Sequence, residues 1–377
     1  MIVALLCGAV QRVSLAVILG LLVVLAAGCL PSTLGGPSDA RAAGCTPTSG
    51  QQDGVDVDES DGTINFSTVA ASGVKFVYAR VGQGNYFTDP QYATYDAQAK
   101  AAGLAFGAYQ VFDPIVDPTQ QADYFLQAAS VTGGDLVPAL DVVDDGIGGP
   151  SDSGGGVTPA VFTSRLQTWL NVVQSALGVR PLLYLDTSQW DTFTGSDTDF
   201  GMAGYPLWIA YVGADSSPPL PGGWTTWAFW AHSFMGSVPG ITGEVDEDYL
   251  DGAFGGGNLC AMTISSQQTA APANTAAPQI SGTPAVGQTL ACAQGSWTNL
   301  PGSFGYQWLR DGGAIATATS ADYTVTSADA GHQLSCRVTA TNAVNSTNAT
   351  RRSPCPLLHQ APAPAARRRR HRARHRR

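Results

Sequence analysis

The chain has no glycine-rich phosphate loop and no cluster of metal-ligand side chains, so no nucleotide chemistry, metal or cofactor is expected. Apolar runs long enough to matter to a membrane are missing beyond the N-terminus. The one such run, Val13 to Gly28, follows Arg12 and carries no charge. It is short for a bilayer span and suits a secretory h-region. Residues 1–43 therefore read as a leader with two exits. Leu25-Ala26-Ala27-Gly28-Cys29 suits lipoprotein processing, and Ala40-Arg41-Ala42 suits ordinary signal peptidase. Secretion and envelope attachment through a lipid on Cys29 both stay open.

Positive charge is scarce through most of the sequence. The formal net charge of -10 over 377 residues conceals a segregation, because Arg367 to Arg377 is almost wholly basic and the remainder correspondingly acidic. The terminal segment 356–377 is expected to be disordered, since its arginines repel one another and nothing apolar anchors them. On an exported protein the polyanions within its reach are anionic wall polymers and lipid head groups, and export counts against nucleic acid. A monomer is expected.

Seven cysteines in an exported chain point to disulfides. Cys7 and Cys29 fall in the leader. Cys45 and Cys260 bracket a first domain, Cys292 and Cys336 fall inside a second, and Cys355 is left over.

From Gly54 onward, apolar runs of strand length alternate with segments of helical periodicity, the pattern of a parallel sheet wound with helices. Strands are expected at Val55 to Asp58, Phe76 to Val81, Ala105 to Phe112, Leu136 to Val143, Pro181 to Asp186, Leu207 to Val212, Thr226 to His232 and Gly243 to Asp248. Eight strands suggest a closed α/β barrel, irregular in its second half because the last three come with little intervening helix. Asp89-Pro90, Asp117-Pro118 and Thr158-Pro159 look like helix starts, and Gly73, Gly103 and Gly178 like helix stops. After Pro159, the residues Phe162, Leu166, Trp169, Leu170, Val173 and Leu177 share one helical face and read as core.

Residues 265–278 are rich in Ala, Pro, Thr, Ser and Gln without periodicity and read as an extended flexible linker. Beyond it, at 279–350, Cys292, Trp308 and Cys336 follow the order and approximate spacing of an immunoglobulin-like β-sandwich.

In such a barrel, side chains at the carboxyl ends of strands meet at one mouth. Those ends carry Asp56, Asp58, Tyr109, Asp141, Asp144, Tyr184, Asp186, Tyr211, Trp230, His232 and Asp246. Carboxyl groups ringed by aromatics suit a sugar, because rings stack on pyranose faces while carboxyls protonate, orient or stabilise charge at the anomeric carbon. An aspartate after a strand can equally cap the next helix. Asp56, Asp141 and Asp246 sit within the last residues of their strands rather than in turns, which favours function for these three.

Six blocks in order, Gly54-Val55-Asp56-Val57, Ser72 to Val77, Gly107-Ala108-Tyr109, Pro138 to Val142, Pro206 to Ala210 and Gly240 to Asp246, resemble the successive signatures of the glycoside hydrolase family 25 lysozymes. The resemblance covers about residues 53–252. It implies an irregular TIM-like β/α barrel, no metal, and hydrolysis of the β-1,4 bond from N-acetylmuramic acid to N-acetylglucosamine in peptidoglycan. Together with the strand-end reading, this gives Asp56, Asp141, Asp246 and Asp144 as candidate catalytic residues and Tyr109, Tyr184, Tyr211, Trp230 and His232 as candidate sugar contacts.

Two departures stand out. The family ends its fourth strand Asp-x-Glu, with the glutamate as proton donor, whereas this chain reads Asp141-Val142-Val143-Asp144. Valine cannot donate a proton, and alternate strand residues share a face, so Val143 points where the acid belongs and Asp144 away from it. Asp144, Asp58 and His232 are the candidate substitutes, and Asp144 serves only if the strand bulges or ends early. The family's aromatic pair after the first strand is Glu59-Ser60, and its Trp-Gln-Tyr is Trp230-Ala231-His232. A positioned general acid is worth roughly 10²-fold to 10⁴-fold. Two further readings are therefore kept: a weakened or inactive peptidoglycan-binding envelope protein, and an adhesion protein acting through its C-terminal domain.

Overall fold

The computed structural model describes residues 48–143, 157–213, 217–252 and 255–353. The leader, Cys7, Cys29, Cys45, Asp144, Cys355 and the basic tail lie outside the described residues.

The first region is a closed barrel built from β1 (Gln52–Val57), β2 (Phe76–Gln83), β4 (Ala105–Val111), β5 (Ala139–Asp141), β6 (Leu182–Leu185), β7 (Leu207–Ala210), β8 (Phe229–Gly236) and β9 (Val245–Leu250). The short β3 (Phe87–Thr88) hangs on β2 as a hairpin. Every expected strand is present. Neighbours run parallel from β1 through β2 and β4 to β8, and β9 closes the ring antiparallel to both β8 and β1. The chain between β8 and β9 is too short for the crossover that a parallel pair requires, so β9 must return in the opposite direction.

Among the described residues, helices α1 (Phe66–Ser72), α2 (Tyr92–Ala101), α3 (Pro118–Ala129), α4 (Pro159–Leu177) and α5 (Thr187–Thr194), with a single turn at Asp199–Met202, cover the wall. Asp117 and Thr158 cap α3 and α4 through the amides of Gln120 and Val161, with proline next in each case. Asp89-Pro90 does not start α2, which begins at Tyr92. Asp89 instead accepts the amides of Gln91 and Glu59 and pairs with Arg80, a charge partner too far along the chain to be read locally. The six apolar residues of α4 are all buried, as their spacing requires. Inside the barrel, Phe76, Tyr78, Trp208 and Phe229 pack edge to face or tilted. Gly107 makes room for this layer, because a Cβ there would lie 2.2 Å from the Tyr78 ring.

Past Gly252 the chain stays with the barrel. Leu259, Met262 and Ile264 join its core, Thr263 bridges to Leu136, and Cys260 is disulfide-bonded. Where an extended linker is expected, the structure has a helical turn, Ile264–Gln267, and a strand, Ala273–Ala276, paired with Ser296–Thr298. The strand pairing has no local sequence signal.

The second region is all β. Gln279–Ser281, Thr289–Ala293 and Asp322–Thr324 form one sheet; Gly313–Ala314, Ser303–Arg310, Leu334–Thr341 and Ser346–Arg352 form another. The Cys292–Cys336 disulfide joins the two sheets beside a core of Leu290, Trp308, Val325, Leu334 and Val338. This region abuts α4. Asn299 and Leu300, with φ of 58° and 34°, donate their amides to the carbonyls of Ser175 and Ala176 at 3.2 and 2.9 Å, and Gln268 donates to Leu177 at 3.0 Å. These are carbonyls that a helix C-terminus leaves without an internal partner.

Candidate active site

The end of the barrel where the carboxyl termini of its parallel strands meet opens into a cavity of about 370 Å³, lined by Asp56 of β1, Arg80 of β2, Tyr109 of β4, Asp141 of β5, Tyr184 of β6, Trp208 of β7 and Asp246 of β9. The ladder explains the convergence. Asp56 lies directly opposite Asp246 across β1 and β9, while Asp141 is in register with Tyr184 and Tyr184 with Trp208. A cavity of about 440 Å³ near Arg180, Tyr205 and Trp224 has no carboxyl group in its wall and so offers no acid chemistry.

The acids sit in unlike surroundings. Asp246 is pushed up to about 6, first by burial and then by the charges of Asp61 and Asp58. Asp61 is likewise raised to about 6, mainly by burial. Burial, followed by Asp248, Asp246 and Asp141, lifts Asp56 well above the carboxylate range. Asp141 accepts the amide of Val143 at 2.9 Å, which fixes one of its oxygens. Val143 lines the cavity, where the family's glutamate belongs.

Asp58 is not a free acid. It caps the 3₁₀ turn Glu59–Asp61 through the amide of Ser60 and pairs with Arg80 at 2.9 Å. Arg80 also holds Glu59 and, at 3.2 Å, Asp89, so the segment replacing the family's aromatic pair becomes a charged clamp on the rim.

Tyr211, Trp230 and His232 do not line the cavity. Trp230 donates its indole N–H to the Tyr211 carbonyl at 2.7 Å, and His232 stacks on Tyr249 with ring centres 3.7 Å apart. Burial lowers the His232 pKa. Asp186 caps α5 through the amides of Ser188 and Gln189.

Sequence reasoning passed over Arg80, Asp61, Trp208 and Asp248. Asp248 was within reach of it, since residues two apart on a strand share a face and Asp246 was already placed inward.

A β/α barrel with carboxyl groups and aromatic rings gathered at the ends of its strands has the construction of a glycoside hydrolase. Comparison makes this specific. The sequence model of the "Glycosyl hydrolases family 25" matches residues 55–241. Lysozyme M1 of Streptomyces globisporus is 34% identical over 232 residues, covering 58% of this chain and 74% of its own length. N,O-diacetylmuramidase of Chalaropsis sp is 26% identical over 201 residues, 51% of this chain and 95% of its own. Among solved structures, the bacterial lysozyme from Streptomyces coelicolor superposes with a TM-score of 0.53 at 28% identity, covering 58% of this chain and 99% of that one. The chain belongs to glycosyl hydrolase family 25.

Proposed function

We propose that the protein is a lysozyme-type muramidase that hydrolyses the β-1,4 bond from N-acetylmuramic acid to N-acetylglucosamine in peptidoglycan. The observation that carries this reading is the meeting of Asp56, Asp141 and Asp246, from β1, β5 and β9, in one aromatic-walled cavity.

Asp141, oriented by the Val143 amide, receives the N–H of the substrate's 2-acetamido group and aims its carbonyl oxygen at the anomeric carbon. As that oxygen bonds to the carbon, the glycosidic C–O bond breaks and its electron pair takes a proton from Asp246. Water then opens the cyclic intermediate and returns a proton to Asp246. A carboxyl held near 6 suits both halves of this exchange, being protonated often enough to give and ionised often enough to receive. Tyr109 and Tyr184 supply ring surface to the sugar.

Reducing-end release from purified peptidoglycan tests the reading. Activity is expected from the full chain, with a loss of roughly 10²-fold to 10⁴-fold in Asp141→Asn and in Asp246→Asn. Absence of release by the unaltered protein overturns it. Val143 favours the second reading, glycan binding without turnover, and retention on insoluble peptidoglycan without release is its signature.

The proposal extends to the ends of the chain. Its substrate lies outside the cytoplasm, which agrees with export through residues 1–43, by free secretion or with a lipid on Cys29. Salt-sensitive retention by the arginine-rich tail on anionic wall polymers or lipid head groups would hold the enzyme near its substrate. We read the C-terminal all-β region as immunoglobulin-like on the strength of its disulfide-linked sheets and buried Trp308.

A further inference from the structure

Asp248 has no place in the reaction above, and its surroundings are unusual. It is completely buried on β9, two residues beyond Asp246 and on the same face. Trp208 donates its indole N–H to Asp248 Oδ1 at 2.8 Å. The other oxygen, Oδ2, is buried and meets no hydrogen-bond donor among the described residues, and the same is true of Asp56 Oδ2. The two carboxyl groups lie within hydrogen-bonding reach of each other. Asp56 itself is only partly buried and borders the cavity, so its Oδ1 is the oxygen available to substrate.

Two ionised carboxylates have no donor to offer each other. Left so, this pair would bury two bare oxygens and two like charges, each of which is costly. One proton between them removes both costs at once.

We propose that Asp248 is a positioning residue that shares a single proton with Asp56 across their buried oxygens and so leaves Asp56 Oδ1 as a hydrogen-bond acceptor toward the sugar, rather than a free base or nucleophile. Its catalytic consequence rests on the muramidase reading; the proton sharing does not.

The groups facing the pair agree with this assignment. Around Asp56 stand Asp246 and Asp141, both acidic, and the phenols of Tyr109 and Tyr184. Around Asp248 stand Tyr78, Glu247 and the Trp208 indole. Arg80, the cation lining the cavity, is occupied by Asp58, Glu59 and Asp89. Burial, then the charges of Asp248, Asp246 and Asp141, raise the proton affinity of Asp56; burial raises that of Asp248 more than the hydrogen bonds from Trp208 and Asp56 lower it.

Carboxyl-carbon NMR titration of the full chain tests the proposal, with Asp56→Asn and Asp248→Asn assigning the signals. In the unaltered protein one carboxyl of the pair should remain protonated at neutral pH. Asp248→Asn keeps an acceptor for Trp208 and removes the charge, so the Asp56 midpoint should fall by at least about one unit, a tenfold change in acidity. The pH profile of glycan release should move in the same direction. Trp208→Phe withdraws the donor from Asp248 and should move the midpoint upward. Two ionised carboxyls at neutral pH in the unaltered protein overturn the proposal, as does an Asp248→Asn variant that loses stability while its Asp56 midpoint stays in place. A protonated pair in a protein that releases no glycan supports the shared proton and sinks the muramidase reading alone.

Discussion

The barrel and the C-terminal region each bury an aspartate completely, and they treat it in opposite ways. Asp329 accepts from the Thr326 amide at 2.7 Å, the Thr326 hydroxyl at 2.8 Å and the Tyr323 phenol at 2.8 Å, and pairs with Arg310. Burial pushes its pKa up, but these hydrogen bonds outweigh burial and hold it below the usual carboxylate range. Asp248 has the Trp208 indole and an acidic neighbour, and its pKa rises well above that range. A buried carboxylate surrounded by donors is a structural fastener. One denied donors keeps its proton, and a protein that tolerates this at the mouth of a barrel gains an acid suited to chemistry.

Breaking the fastener should produce the largest effect on stability. Asp329→Ala strips several charge-assisted hydrogen bonds and leaves Arg310 unpaired, which should cost about 3 kcal/mol in denaturant unfolding. Glycan release per folded molecule should be unchanged. A fall in specific activity with stability intact would erase the distinction drawn between the two regions.

A smaller effect is expected from enlarging the acid set. Val143 already faces the cavity, so Val143→Glu places a carboxyl in its wall. Turnover should rise at least about tenfold, which is below the full value of a general acid because, on the proposed reaction, Asp246 supplies part of that role. Unchanged steady-state kcat would mean that the donor position is already filled.

The smallest effect concerns pH and stability. Asp246 and Asp61 are raised to about 6, so their contribution is fully present below the ordinary carboxylate range and is lost as pH rises through about 6. Asp329 is lowered, so its contribution is present above that range and is lost only as pH falls through its folded value. Tm should therefore climb by a few degrees as pH is lowered from about 8 to about 5. Scanning calorimetry of an Asp61→Asn, Asp246→Asn double variant should show that climb reduced; the same climb in the variant would assign it to other groups.

Much of this was legible in advance where the signal was local. The eight strands, the capped starts of α3 and α4 and the buried face of α4 follow from periodicity and turn chemistry within a few residues. The meeting of Asp56, Asp141 and Asp246 follows from a fold rule, since strand ends in a β/α barrel share one mouth. What escaped depended on partners distant in sequence. Nothing near Asp58 or Glu59 announces Arg80, and nothing near Ala273 announces Ser296–Thr298. Tyr211 follows the end of β7, but β8 runs on to Gly236, so Trp230 and His232 fall in its first half rather than at its end, and none of the three lines the cavity. Asp248 is the exception, since strand alternation alone sets it on the same face as Asp246.

The last turn of α4 is finished by Asn299 and Leu300, whose backbone belongs to the other region. A helix sealed at its end by a distant stretch of polypeptide cannot fray from that end while the distant stretch stays in place. Amide protons of the α4 terminus and of the strands behind Asn299 should therefore exchange with solvent in one concerted opening, so that the two halves of the molecule come apart together rather than one by one.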